Sequence, residues 1–261
     1  MTSAAPTFDA SRERIPVRVF GGPTALIEYG GLRLLTDPTF DAPGDYPRGG
    51  GRFLTKTAPP RVPLAGLGPV DVVLLSHDEH QDNLDTSGRA LLADVPRTFT
   101  TTGGAVRLGG TAEGLAPWQS VELARPDGGT LTVTAAPALH GPEGAEAVSG
   151  QVIGFVLTSP DLPTVYVSGD NASLDLVREV ADRFGPVDTA VLFAGAPRIQ
   201  ALFDNALLVL DAAGAATAAR ILGARRVVPV HCDSWAHFTE SREDVVKAFE
   251  TAGLADRLQL D

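Results

Sequence analysis

The chain has 261 residues, 44% of them apolar, a formal net charge of −11 and one cysteine, which is enough chain to bury a substantial core. The acidic balance argues against non-specific binding to nucleic acid or anionic membrane, and no apolar run reaches membrane-spanning length, so no membrane insertion is expected. The single Cys232 excludes an intrachain disulfide framework and fits a reducing, cytoplasmic compartment.

Residues 1–14 are polar and lack the apolar core of a secretory signal; they are expected to form a flexible leader ahead of one domain over 15–261. Residues 15–20 alternate around apolar positions and predict a strand. Residues 24–29 and 32–36 predict two more, joined by the two-residue hairpin signal Gly30-Gly31. Residues 39–60 are rich in Gly, Pro and Asp without a sustained period and predict one long loop. The near-continuous apolar run 70–76 predicts a buried strand, followed by a helix over 86–94 and a strand over 97–102. Strands are predicted over 121–123, 130–136, 151–158 and 164–168, and helical spacing runs over 172–184. A strand over 189–193 precedes an Ala-rich helix capped by Asp211 and stopped by Gly223. The last strand covers 226–230 and the last helix 241–252, with Glu243 and Asp244 in its first turn. Strands thus come mostly first, with a βαβαβα tail. That order excludes a plain doubly wound parallel sheet and fits a layered α/β sandwich with helices outside packed sheets.

The chemistry-bearing residues fall where predicted strands end. The run 70–76 ends in Ser76-His77-Asp78-Glu79-His80-Gln81-Asp82-Asn83. The next strand ends lead to His140, to Ser168-Gly169-Asp170, and to His231-Cys232-Asp233-Ser234-Trp235-Ala236-His237. A lone histidine at a strand end is ordinarily structural, and an Asp after a Gly is ordinarily turn chemistry. All five histidines in or beside strand-end motifs point instead to a metal site assembled at one sheet edge. Mixed imidazole and carboxylate donors suit zinc, manganese or iron.

These motifs, with Gly22-Pro23-Thr24 and Leu34-Leu35-Thr36-Asp37-Pro38, resemble the metallo-β-lactamase-fold hydrolases. The similarity is greatest to the branch holding the ascorbate-phosphate lactonases and the N-acylphosphatidylethanolamine phospholipases, and it runs from about residue 17 to the C-terminus. The resemblance implies a four-layer αββα sandwich of two mixed sheets with a two-metal site. It places two histidines of the first motif and His140 on one ion, Asp82, its neighbour Asn83 and His231 on the other, and Asp170 on both. The family pattern His-x-His-x-Asp-His is altered here, and two registers remain. In one, Glu79 takes the second histidine place. In the other, preferred because it keeps three ligand types and the Leu84-Asp85 spacing, one residue is inserted, His80 pairs with His77, and Asn83 stands where the last histidine belongs. Asn is a weak ligand, so the expectation is Zn²⁺ or Mn²⁺, two ions with one site weakened, or iron.

A metal brings the pKa of water it holds towards neutrality. Asp82 and Asp170 would orient that water for hydrolysis of an ester, lactone, amide or phosphodiester in a small-molecule substrate. Ser76 is expected to bond its own turn rather than act as a nucleophile. Asp37, Asp233 and Trp235 are expected to support the ligands, His237 to be a pocket acid or substrate contact, and Cys232 a buried bystander. Residues 39–57 and 195–205, with Arg198, Gln200 and Phe203, are expected to wall the pocket. Two rival readings are a mononuclear-iron enzyme doing oxidative or rearrangement chemistry and a decayed binding module. Retention of His140, Asp170 and His231 argues against decay. The composition is compatible with a homo-oligomer.

Overall fold

Because both faces of each main sheet are covered at its centre, the inner strands are near-continuously buried rather than alternating; the third strand, LRLLT, is buried at all but one position. The computed structural model describes residues 14–48, 53–198 and 203–260; the expected flexible leader therefore lies almost wholly outside the described residues. In chain order the elements are β1 Val17–Gly21, β2 Thr24–Tyr29, β3 Leu32–Thr36, β4 Gly44–Pro47, β5 Phe53–Lys56, β6 Val72–Leu74, α1 Thr86–Leu91, β7 Arg97–Thr101, α2 Thr102–Leu108 and β8 Ala112–Leu115. They continue with β9 Ser120–Ala124, β10 Thr130–Pro137, α3 Glu146–Ser149, β11 Ile153–Thr158, β12 Val165–Val167, α4 Leu174–Phe184, β13 Thr189–Phe193, α5 Ala212–Ile221, β14 Arg226–Val230 and α6 Arg242–Thr251.

The described residues form two six-stranded sheets, ordered β1-β2-β3-β6-β7-β8 and β14-β13-β12-β11-β10-β9. In the first, β1 to β3 pair antiparallel and β3, β6, β7 and β8 pair parallel. The second repeats the scheme, antiparallel from β9 to β12 and parallel from β12 to β14. The central core interleaves Ile27, Leu34, Leu74 and Phe99 of the first sheet with Val133, Phe155, Val191 and Val228 of the second. A second apolar layer joins Val156, Tyr166 and Leu192 to Val177 and Val180 of α4, Ala215 and Ala219 of α5, and Val245 and Phe249 of α6. A third packs Leu26, Leu35 and Val73 under Phe40, Leu84 and Leu92. This is the four-layer αββα sandwich. Among the described residues no helix is long and apolar enough to cross a membrane.

Local chemistry sets the boundaries. Gly30 and Gly31 both have positive φ, as a two-residue primed turn requires. Asp211 caps α5 by accepting from Gly214 N, and Ser241 and Asp244 form a reciprocal capping box on α6. Four expectations are corrected. The 39–60 loop contains the hairpin β4–β5; β4 is largely exposed and the two buried positions of β5 are Leu54 and the charged Lys56, so no apolar period marks it. The strand at 70–76 is shorter, covering Val72–Leu74, because Leu75 onward leaves the ladder for the site. α2 and β8 follow β7 where no element was expected, since Gly103, Gly104, Gly109 and Gly110 obscure both. The short α3 has only four residues, too few for a period to register.

Candidate metal centre

The C-terminal ends of β3, β6, β10, β12 and β14 meet at one edge of the sandwich, where ligands of open α/β sheets commonly bind. β3 hands over to Asp37, which has positive φ and receives Ser76 N at 2.6 Å and Ser76 Oγ at 2.8 Å. β6 leads into a tight turn, closed by Asn83 N and Leu84 N on His80 O, that turns His77, His80 and Asp82 inward. After β12, Gly169 is required: its φ is positive, and a Cβ there would lie 2.7 Å from Ile153 O. After β14, His231 adopts positive φ and its N–H donates to Gly22 O at 2.7 Å, so the ring leaves the strand direction and enters the site.

His77, His80, His140 and Asp170 are all buried, and their candidate donor atoms lie within 4.8 Å of one another. His77 Nε2 is 3.0 Å and His140 Nε2 is 3.3 Å from His80 Nδ1. Asp170 Oδ2 is 3.5 Å from His140 Nε2 and 4.0 Å from His77 Nε2. The outer nitrogens explain the ring orientations. His140 Nδ1 lies 2.8 Å from Leu208 O, which can only accept, so its proton sits on Nδ1 and Nε2 keeps a lone pair. His77 Nδ1 lies 2.9 Å from Ser76 Oγ, whose own proton goes to Asp37. The same tautomer follows for His77. Asp37 thus supports His77 through Ser76 rather than directly, and Ser76 joins the two instead of only closing its turn.

On the other side of Asp170, His231 Nε2 lies 3.5 Å from Asp170 Oδ1 and 3.3 Å from Asp82 Oδ2, which is also 2.9 Å from His237 Nε2. His231 Nε2 and Asp170 Oδ2 are buried and make no hydrogen bond among the described residues. Two inward lone pairs, an unbonded imidazole nitrogen and an unbonded carboxylate oxygen form a donor set that fits a divalent ion.

Burial lowers the His77 and His80 imidazoles, His80 to about 3, so both are neutral donors at ordinary pH. Burial alone would raise the Asp82 carboxyl, but the neighbouring His237 and His231 hold it well below the usual range. For His231, burial works downward, yet Asp170 and Asp82 prevail and raise it. Burial pushes Asp37 up to about 7 against the hydrogen bonds from Ser76 that hold it down.

The remaining sequence-predicted residues divide. Glu79 is engaged by Arg107 and lies outside the converging group. Asn83 is buried and directs its amide Nδ2 to Asp37 Oδ2 and Asp170 Oδ1, each at 3.3 Å. Asp233 accepts from Gly22 N, Ser234 Oγ and Arg61, which makes it a turn-holding residue. Trp235 packs edge-on to His237 and pairs by a backbone bridge with Lys56. Cys232 is buried. A cavity of about 280 Å³ opens onto His80, Asp82, His140, Asp170 and His237. Its wall includes Arg198 and Phe203, while Gln200 lies outside the described residues. Arg48, Phe53 and Leu54 of the wall fall within the 39–57 segment, whereas sequence reasoning missed Val148, Ser149 and Leu208; Leu208 acts through its carbonyl, for which a side chain gives no signal.

Residues 32–232 match the family described as the beta-lactamase superfamily domain. A metal-dependent hydrolase of the UPF0173 family from Pyrobaculum neutrophilum is 28% identical over 250 residues, covering 92% of this chain and 93% of that one. An isothiocyanate hydrolase from Delia radicum gut bacteria shares the fold with a TM-score of 0.76 at 21% identity, over 93% of this chain and 94% of that one. Igni18, a metallo hydrolase from Ignicoccus hospitalis, does so with a TM-score of 0.69 at 20% identity, over 94% of both chains. The chain therefore belongs to the beta-lactamase superfamily domain family, the metal-dependent hydrolases of the metallo-β-lactamase fold.

Proposed function

We propose that this protein hydrolyses an ester, lactone or phosphodiester bond in a small molecule carrying an apolar body. The observation that carries the reading is the convergence of His77, His80, His140 and Asp170, the last three of which line a cavity. These four would hold one divalent ion, with zinc favoured by three imidazoles and one carboxylate and manganese as the harder alternative. When bound, such an ion acidifies water and polarises a carbonyl or phosphoryl oxygen. Asp170 and Asp82 line the cavity with carboxyl oxygens placed to orient a water and take part in its proton transfer. Phe53, Leu54, Phe203 and Leu208 offer apolar wall, and Arg48 and Arg198 stand where an anionic substituent would meet a cation.

Metal analysis of the purified protein, followed by assay on p-nitrophenyl esters, phosphodiesters and lactones with and without chelator, tests the reading. Bound metal and chelator-sensitive turnover that drops at least about 10²-fold in Asp170→Ala are expected. Absence of metal, or turnover indifferent to both chelator and substitution, refutes it.

A further inference from the structure

We propose that His237 is the ligand that completes a second metal position, doing from the loop after β14 what Asn83 cannot do from the first motif. The inference rests on the metal-dependent reading above. An amide nitrogen is a donor without a basic lone pair, and that of Asn83 is already directed at the carboxylates of Asp37 and Asp170. Asn83 Nδ2 therefore bonds two carboxylates, its buried amide Oδ1 is left as a weak neutral oxygen donor to a metal, and the nitrogen ligand that the resemblance expects there is lacking.

His237 supplies that nitrogen. Its Nε2 lies 2.9 Å from Asp82 Oδ2, and His231 Nε2 lies 3.3 Å from the same oxygen. Asp170 Oδ1, 3.5 Å from His231 Nε2, closes the group, while Asp170 Oδ2 faces His77 and His140. The two groups thus share Asp170, one oxygen to each side. The second set is two imidazoles and two carboxylates, harder than the three imidazoles and one carboxylate of the first.

The loop that carries His237 is built to hold it. Thr57 N donates to Ser234 O at 2.8 Å, and Ala236 N donates to Thr55 O at 2.9 Å, so the backbone just before His237 is pinned along β5. The ring rests against Phe238, with centroids 4.5 Å apart, and Trp235 stands edge-on behind it. Its side chain is 28% exposed at the cavity mouth, so truncation removes a donor without opening the core.

The test is metal stoichiometry of protein reconstituted with Zn²⁺ or Mn²⁺ and freed of excess ion, measured by elemental analysis beside circular dichroism. Wild type is expected to retain two ions per chain, His237→Ala one, and Asn83→Ala two. His77→Ala, which removes a donor of the first group, should leave the second ion in place. Two retained ions in His237→Ala with unchanged affinity overturn the inference, and a simultaneous loss of turnover would then make His237 a proton donor. A single ion in wild type overturns it while leaving the hydrolase reading intact; no ion in wild type overturns both.

Discussion

Replacing Lys56 by methionine should destabilise the protein by about 3 kcal/mol, because the substitution strands a buried carboxylate. The Lys56 side chain is 2% exposed and its partner Asp85 is fully buried. Lys56 Nζ lies 3.1 Å from Asp85 Oδ2, 3.0 Å from Thr39 O and 5.5 Å above the Trp235 ring. At that separation the attraction is about 5 kcal/mol for an effective dielectric near 20. Methionine keeps the packing volume, so little cavity term is added. Asp85 retains two backbone donors, Asp41 N at 2.6 Å and Gly88 N at 2.8 Å, which places the expected loss at the low end of the usual ~3–5 kcal/mol for a broken buried pair. Urea unfolding of metal-free protein, followed by circular dichroism and tryptophan fluorescence, measures it. Lys56→Met with Asp85→Asn leaves no stranded charge and keeps the α1 cap through the amide oxygen but loses the bond from Asp41 N, so the double variant should recover part of the loss and stay about 1–2 kcal/mol below wild type. A loss below about 1 kcal/mol in the single variant, the behaviour of an exposed pair, refutes the reasoning.

The acid response of the metal-free protein should depend on Asp37. His80, lowered to about 3, takes up a proton below pH 6.5 only when unfolded, so its contribution costs about 2 kcal/mol between pH 7 and 5, and His77, lowered by the same burial, adds a loss of the same sign. Asp37, raised to about 7, takes up a proton in the folded state over the same window and offsets that loss with about 2 kcal/mol. Asp37→Asn should therefore lose about 2 kcal/mol more than wild type between pH 7 and 5 in urea titrations; parallel losses would contradict the opposed pair. Burial pushes the Cys232 thiol from 9.0 up to about 12, so native protein should be alkylated at pH 8 roughly 10³-fold more slowly than urea-unfolded protein. A native rate within tenfold of the unfolded one would show Cys232 to be accessible.

The sequence by itself named the candidate donors. An apolar run ending in imidazoles and carboxylates marks a strand delivering candidate ligands whatever lies beside it, and four such ends, read with the family resemblance, name His77, His80, Asp82, His140, Asp170 and His231. Strand periodicity and caps likewise made β2, β3, β13 and β14 legible to the residue, since those signals are local. The hairpin β4–β5 and the glycine-rich α2 were not legible, because four-residue strands with a single buried apolar side chain between them, and glycines, carry no period. Which donors face each other was decided only by tertiary structure. Asn83 stands beside Asp82 in sequence, yet its amide is held by Asp37 and Asp170 from other strand ends. His237, 155 residues from Asp82, reaches that carboxylate because the loop after β14 is pinned along β5. Spacing along a chain fixes which side chains share a turn; only the packing of the two sheets fixes which turns share a site.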